Sequence, residues 1–176
     1  VTVVHPVSLA VPGDMSVCAG NSVIIPASGA MLYNWINNTN GLNNTQIANP
    51  TATPSTTTTY TVTGSDAHKC FPDTAEVTVA VLPLPVVDAG ADEEVQAGTP
   101  VNFAPTFSTD VIQWAWTPAT YLSCSNCPSP ISTPLSETLY TLTVKNGVGC
   151  TAKDSLRVKM ICDEARVAIP NAFTPN

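Results

Sequence analysis

The sequence predicts an all-β protein built as two tandem antiparallel β-sandwich domains, and three observations carry that expectation. The chain repeats itself: Val17 to Val81 lies over Val95 to Met160 at an offset of roughly 80 residues. Ala19-Gly20 falls on Ala97-Gly98, Trp35 near Trp116, Tyr60-Thr61-Val62-Thr63 on Tyr140-Thr141-Leu142-Thr143, and Cys70 on Cys150. Composition is the second observation. Only 11% of residues are charged and 44% are hydrophobic, with Thr, Ser, Asn, Val and Pro abundant, a mixture that suits strands and turns better than helices. Third, no stretch sustains a helical period; apolar residues come in short alternating or β-branched runs bounded by Pro, Gly and Asn.

Those runs predict strands in the first repeat near Ser8 to Val11, Ser22 to Ala27, Met31 to Ile36, Thr58 to Gly64 and Ala75 to Leu82. The matching set in the second repeat lies near Pro85 to Asp88, Pro100 to Ala104, Val111 to Trp116, Thr138 to Lys145 and Ser155 to Ile161. Between the Trp strand and the Tyr strand each copy has a long polar segment, Asn37 to Thr57 and Thr117 to Glu137. Its closing part, Asn49 to Pro54 or Pro128 to Pro134, is expected to form one edge strand, with prolines blunting further pairing. Trp35, Trp116, Tyr60 and Tyr140 are the expected large core side chains. Leu82-Pro83-Leu84-Pro85 is a linker stiffened by two fixed φ angles. Val1-Thr2-Val3-Val4 matches the strand that closes the first repeat, so residues 1–5 read as the last strand of a preceding domain or a linker. Residues 6–83 and 84–163 are then the two repeats, and 164–176 begin a further domain.

Charge and length narrow the function. Six Lys plus Arg against 13 Asp plus Glu give a net charge of -7, which repels phosphate backbones and argues against nucleic acid as a partner. No apolar run approaches the ~20 residues of a membrane span. Six cysteines in so sparsely charged a chain point to an oxidising, extracytoplasmic setting. Repetition itself argues against an enzyme, because an active site needs one special place rather than two equivalent ones. The two histidines, His5 and His68, have no counterparts in the other repeat. No Ser/His/Asp order, Gly-rich phosphate loop or carboxylate pair with apolar flanks is present.

Both copies resemble the Ig-like and PKD-like repeats of very large Bacteroidetes surface proteins. The resemblance rests on Cys-Ala-Gly-Asn-Ser-Val (Cys18 to Val23), Tyr33-Asn34-Trp35, the run from Pro54 to Thr63, Gly149 to Ser155, and Leu122 to Pro128. Ile169-Pro170-Asn171-Ala172-Phe173-Thr174-Pro175-Asn176 resembles the opening of the gliding-motility-associated C-terminal domain, the sorting module of the type IX secretion system. These likenesses imply Ig-like or PKD-like sandwiches, export across the outer membrane, and a place at the cell surface of a Gram-negative bacterium. The second copy departs from the pattern with Gln96 where the first has Cys18. Asp73-Thr74-Ala75 and Asp154-Ser155-Leu156 resemble the O-glycosylation motif of those bacteria, with Thr74 and Ser155 as acceptors, and stand at matching places in the two copies. Asp and Ser/Thr starting a strand after a turn explain them equally well.

Among the cysteines, Cys124-x-x-Cys127 is the only local pair, and Pro128-Ser129-Pro130 after it denies the helix N-terminus that a redox pair uses. A structural disulfide closing a loop is the expectation, ahead of a free or metal-bound pair that would enlist Cys150 and Cys162 for zinc. Cys18 pairs with Cys70 inside the first repeat on the simplest reading. Bridged Cα atoms must lie within about 7 Å, and in an Ig-like sandwich these two would sit at opposite ends. A Cys18–Cys150 bridge between repeats therefore stays open, with Cys70 and Cys162 awaiting partners in neighbouring repeats. Asn37-Asn38-Thr39 and Asn43-Asn44-Thr45 fit the N-glycosylation pattern but read as loop chemistry. Asp88, Asp92, Glu93 and Glu94 form an acidic turn that offers, at most, oxygen ligands for Ca²⁺; no other cofactor is expected.

The expected function is a non-enzymatic stalk or adhesin repeat region. Its partners would be neighbouring repeats, the type IX secretion machinery, and surface glycans or other proteins. A carbohydrate-binding accessory module of a secreted polysaccharide hydrolase is the main alternative, and Trp114 discriminates it. Trp114 and Trp116 flank Ala115 and so share a strand face, which makes Trp114 core filling rather than a sugar platform. A filament subunit joined by exchange of the Val1 to Val4 strand is the third reading.

Overall fold

The computed structural model describes residues 6–161, and within them the chain divides between Leu84 and Pro85 into two compact units. In the first unit the strands are β1 (Met15–Cys18), β2 (Val23–Ile24), β3 (Leu32–Ile36), β4 (Thr51–Ala52), β5 (Thr58–Ser65) and β6 (Asp73–Leu82). One layer is a four-stranded sheet in the order β1-β6-β5-β3, with β5 antiparallel to both neighbours and β1 parallel to β6. The facing layer is slighter. It consists of the β2–β4 pair, prolonged by Ile25 N–H to the Pro50 carbonyl (3.0 Å), Ala27 N–H to the Ala48 carbonyl (2.9 Å) and the Ala10–Ser28 bridge.

The second unit repeats this plan with β7 (Val87–Asp88), β8 (Glu93–Val95), β9 (Val101–Asn102), β10 (Thr106–Phe107), β11 (Val111–Thr117), β12 (Ile131–Ser132), β13 (Thr138–Asn146) and β14 (Thr151–Met160). Its main sheet runs β11-β13-β14-β8, again with the short first strand parallel to the last, and β7–β10 and β9–β12 make the facing layer. Each unit is an Ig-like β-sandwich. Against the sequence expectation, each main sheet is mixed rather than purely antiparallel. β1 and β8 had no place among the expected strands, and the expected strand at Ser8 to Val11 is reduced to the single bridge at Ala10.

Alternation on the paired long strands builds the two cores. Tyr60, Val62, Val77 and Val79 in the first unit, and Tyr140, Leu142, Leu156 and Val158 in the second, are buried, while Thr78, Thr141 and Arg157 between them face outward; Thr61, also between them, is itself buried, with its hydroxyl 3.1 Å from Glu76 Oε1. Trp35 and Trp116 lie opposite Val62 and Leu142 across the β3–β5 and β11–β13 ladders. Each indole N–H donates to a carbonyl of the following crossover segment, Ile47 at 2.9 Å and Cys127 at 3.2 Å. One side chain thus fills the core and anchors the loop above it. Trp114 is half-buried, packs inward on Phe107 with ring centroids 5.6 Å apart, and shows its remaining surface to a shallow groove beside Ile112 and Gln113.

The two cores differ in ways that compensate. Gly64 in β5 has Leu9 and Ala30 over it, so close that a Cβ would lie 2.7 Å from each. At the same rung of β13 stands buried Val144, and Val87 is among the half-buried residues packed on that core. Bulk moved from one layer to the other keeps the space filled.

The two tyrosines show what a single hydroxyl contributes. Tyr140 Oη donates to the Thr120 carbonyl at 2.9 Å and lies 2.9 Å from the Oγ of fully buried Ser132. Tyr60 Oη has a longer contact, to the Asn40 carbonyl at 3.4 Å, and no counterpart of the Ser132 hydroxyl, because that rung is occupied by Ala52. Burial also raises the Tyr60 hydroxyl above its ordinary pKa. Tyr140→Phe, which strands a buried hydroxyl and a carbonyl, is expected to cost about 1–3 kcal/mol and Tyr60→Phe less than about 1 kcal/mol. Urea unfolding of the two variants checks this; equal costs would contradict it.

Candidate interaction surface

The residues singled out in the sequence do not converge on one place. Asp88 Oδ1 accepts from Gly90 N–H (2.9 Å), Asp92 Oδ1 from Arg157 N–H (2.8 Å), and Glu94 pairs with Lys159 (3.1 Å). These carboxylates are occupied in holding a turn and the β8–β14 edge. Among the described residues no three His, Cys, Asp or Glu side chains gather as a metal site, so Asp88, Asp92 and Glu93 do not form a cluster of calcium ligands.

Cys124 and Cys127 are bonded to each other, with Cα atoms 5.9 Å apart. They close the loop whose Cys127 carbonyl receives the Trp116 indole. Cys18 and Cys150 are both disulfide-bonded, whereas Cys70 is an exposed free thiol. The expected Cys18–Cys70 bridge is therefore not made. The reason is distance along the sheet: Cys18 lies beside Leu82 at the far end of β6, and Cys70 precedes Asp73 at its near end. Nine residues at ~3.3 Å each separate those ends by roughly 30 Å. Cys162, with the sorting-domain motif and the Val1 to Val4 strand, lies outside the described residues.

Cys70 and Cys150 do occupy the same turn. Asp66 Oδ1 accepts from Cys70 N–H at 2.9 Å and Asn146 Oδ1 from Cys150 N–H at 2.9 Å. The residue before each cysteine, Lys69 or Gly149, has positive φ. Buried Asn146 also donates from Nδ2 to Asp110 Oδ2 at 3.0 Å. The Ser108 hydroxyl first and this amide second hold the Asp110 carboxyl below the usual range. The loop asparagines are similarly engaged, Asn43 Oδ1 with Thr51 N–H and Asn44 Oδ1 with Gln46 N–H, both at 2.8 Å.

Thr74 and Ser155 are both exposed on the outward sheet face, but the ladders do not put them at equivalent positions. Val77 opposes Tyr60 as Leu156 opposes Tyr140, which matches Thr74 to Lys153 and Ser155 to Glu76. The neighbouring aspartates do the same work two residues apart. Asp73 Oδ2 accepts from Leu9 N–H at 2.9 Å and Asp154 Oδ2 from Ala89 N–H at 2.7 Å.

Sequence reasoning missed the distribution of cations. Of the six Lys and Arg residues in the chain, Lys145, Lys153, Arg157 and Lys159 all stand exposed on the outward face of β13 and β14. Odd-numbered spacing from 153 to 159 on a period-2 strand was the available signal. Arg157 pairs with Glu137 at 2.7 Å and Lys159 with Glu94 at 3.1 Å. Lys145 borders a shallow groove of about 470 Å³ that is lined by Ile112 and Trp114 as well as by Gln113, Asn126, Thr143 and Thr151.

No family model and no curated protein matches the chain. Among solved structures it is similar to the I67–I69 I-band fragment of titin (15% identity, TM-score 0.42, covering 90% of this chain and 66% of that one). It is also similar to the insect immune protein hemolin (15%, 0.43, 86% and 46%) and to extracellular domains 3–5 of Drosophila OTK (10%, 0.43, 88% and 62%). The chain thus spans less than two thirds of the length of each.

Proposed function

We propose that this chain is a non-enzymatic, load-bearing repeat region of a larger surface protein, a stalk that holds other parts of the molecule away from the cell. The observation that carries this reading is the parallel pairing of the first strand of each main sheet with its last. Met15 to Cys18 run alongside Val79 to Leu82, and Glu93 to Val95 alongside Val158 to Met160. Ala19 N–H to the Leu82 carbonyl and Ile161 N–H to the Val95 carbonyl, both 2.9 Å, extend the two ladders. Tension applied at the two ends of a unit draws such strands past each other. All the ladder bonds then resist together, where an antiparallel terminal pair would open one bond at a time. An enzyme or a ligand pocket has no need of this arrangement twice.

The sequence resemblance supports the finer reading: export by type IX secretion to the outside of a Gram-negative bacterium of the Bacteroidetes, with neighbouring repeats of the same protein as partners. Exposed Thr74 and Ser155 are sterically open to O-glycosylation. The half-buried, inward-packed Trp114 weighs against the hydrolase-accessory alternative. Pulling the chain by its ends in a single-molecule instrument, with reductant present, is expected to give two unfolding events. Each should release roughly 250 Å of chain for about 75 residues. One event for both units, or yielding without resolvable force peaks, would overturn the load-bearing reading.

A further inference from the structure

We infer that the outward face of β13 and β14 in the second unit binds an anionic polysaccharide, one bearing carboxylate or sulfate groups. The four cations there are not required by the fold. The first unit builds the same sheet with Ser65, Thr74, Thr78 and Ala80 at the rungs of Lys145, Lys153, Arg157 and Lys159. They also stand out in a chain of net charge -7. Their spacing follows from the strand: Lys153 to Arg157 is roughly 13 Å, and Arg157 to Lys159 about 7 Å. Lys145 is the diagonal neighbour of Lys153, since it opposes Thr151.

Chemistry between the cations selects the partner. Thr141, Thr143 and Ser155 interleave with them, and Thr141 and Ser155 hydroxyls are 2.9 Å apart. The face is a flat field of hydroxyls with positive charges at its margins, and Leu139 is its one large apolar side chain on these strands. Protein interfaces centre on buried aromatic and apolar anchors; none stands between the cations on β13 and β14, and Ile112 and Trp114 belong to the neighbouring β11, in the groove beside Lys145. A sugar polymer offers hydroxyls to the Thr and Ser rows and anions to the ammonium groups. Glu137 and Glu94 do not obstruct this, because their pairs with Arg157 and Lys159 are half-exposed and open at little cost. The inference goes beyond the stalk reading and does not depend on it.

The test uses the full chain with Ser155 shown unmodified by intact mass, titrated with alginate as the polyuronate probe and dextran as the neutral control. Alginate is expected to bind and dextran not, with affinity falling by roughly tenfold between low and moderate salt. Lys145→Gln/Lys153→Gln, which removes two exposed cations without touching the core, is expected to weaken binding by about tenfold or more. A Thr74→Gln variant at the matching place in the first unit should bind as the parent does. No alginate binding at low salt, unchanged binding by the double variant, or tighter binding of poly-glutamate than of alginate would overturn the inference. So would self-association that the double variant abolishes, which would give the face to a second copy of this chain. None of these outcomes alters the two unfolding events expected of a stalk.

Discussion

Replacing Trp35 with alanine is expected to lower the stability of the first unit by about 3–5 kcal/mol and to leave the second unit unchanged. Trp35 is 2% exposed, and it is at once the largest piece of its core and the anchor for Ile47 in the crossover segment. An alanine there leaves a void and strands a carbonyl. A domain of this size has in total about 4–12 kcal/mol to lose, at ~0.05–0.15 kcal/mol per residue. The chain provides its own readout. Its three tryptophans are Trp35, Trp114 and Trp116, so in the variant all indole fluorescence comes from the second unit. Thermal unfolding followed by fluorescence should keep the second unit's midpoint, while far-UV circular dichroism loses signal at a lower temperature. Coincident curves shifted together would mean that the halves do not fold on separate cores.

Gly29→Ala is expected to destabilise the first unit by about 2–4 kcal/mol. Gly29 has φ +92°, which an L side chain tolerates poorly, and a Cβ there would overlap the carbonyl of Ser8. That carbonyl is backbone held in place on both sides: Leu9 N–H donates to Asp73 Oδ2, and Ala10 and Ser28 exchange two bonds of 2.9 Å. The substitution must either distort the Ser28 to Ala30 turn or lift the Ser8 to Ala10 segment from the facing layer. Urea unfolding measures the loss. A change below about 0.5 kcal/mol would show that this segment is not part of the cooperative unit.

Much of the architecture was legible because repetition and period-2 alternation are local signals. Tyr60 to Thr63 and Tyr140 to Thr143 announce the same strand twice, and the residues that alternate inward there, Tyr60, Val62, Tyr140 and Leu142, are buried. β1 and β8 escaped because nothing local marks them. Met15 to Cys18 and Glu93 to Val95 become strands only by lying beside chain that arrives more than 60 residues later. The facing layer shrank to two-residue ladders where Pro50, Pro54, Pro130 and Pro134 withhold donors. Matching Asp73 to Asp154 by sequence was natural, since both accept a bond from the opposing segment. A hairpin one residue longer in the first unit shifts the ladder, and only the register reveals it. Cysteine pairing was least legible of all, because it depends on which end of a strand each thiol reaches. The cationic face required both the strand period and the comparison of rungs between units.

Amide hydrogen exchange, compared rung by rung between the two units, tests most directly whether the chain is one design built twice. Matched protection is expected at Tyr60 and Tyr140, Val62 and Leu142, Val77 and Leu156, and Val79 and Val158. Slow exchange is expected as well at Ala19 and Ile161, which close the parallel terminal pairs. Exchange at unfolded rates through one unit's rungs while the other stays protected would contradict a single design built twice.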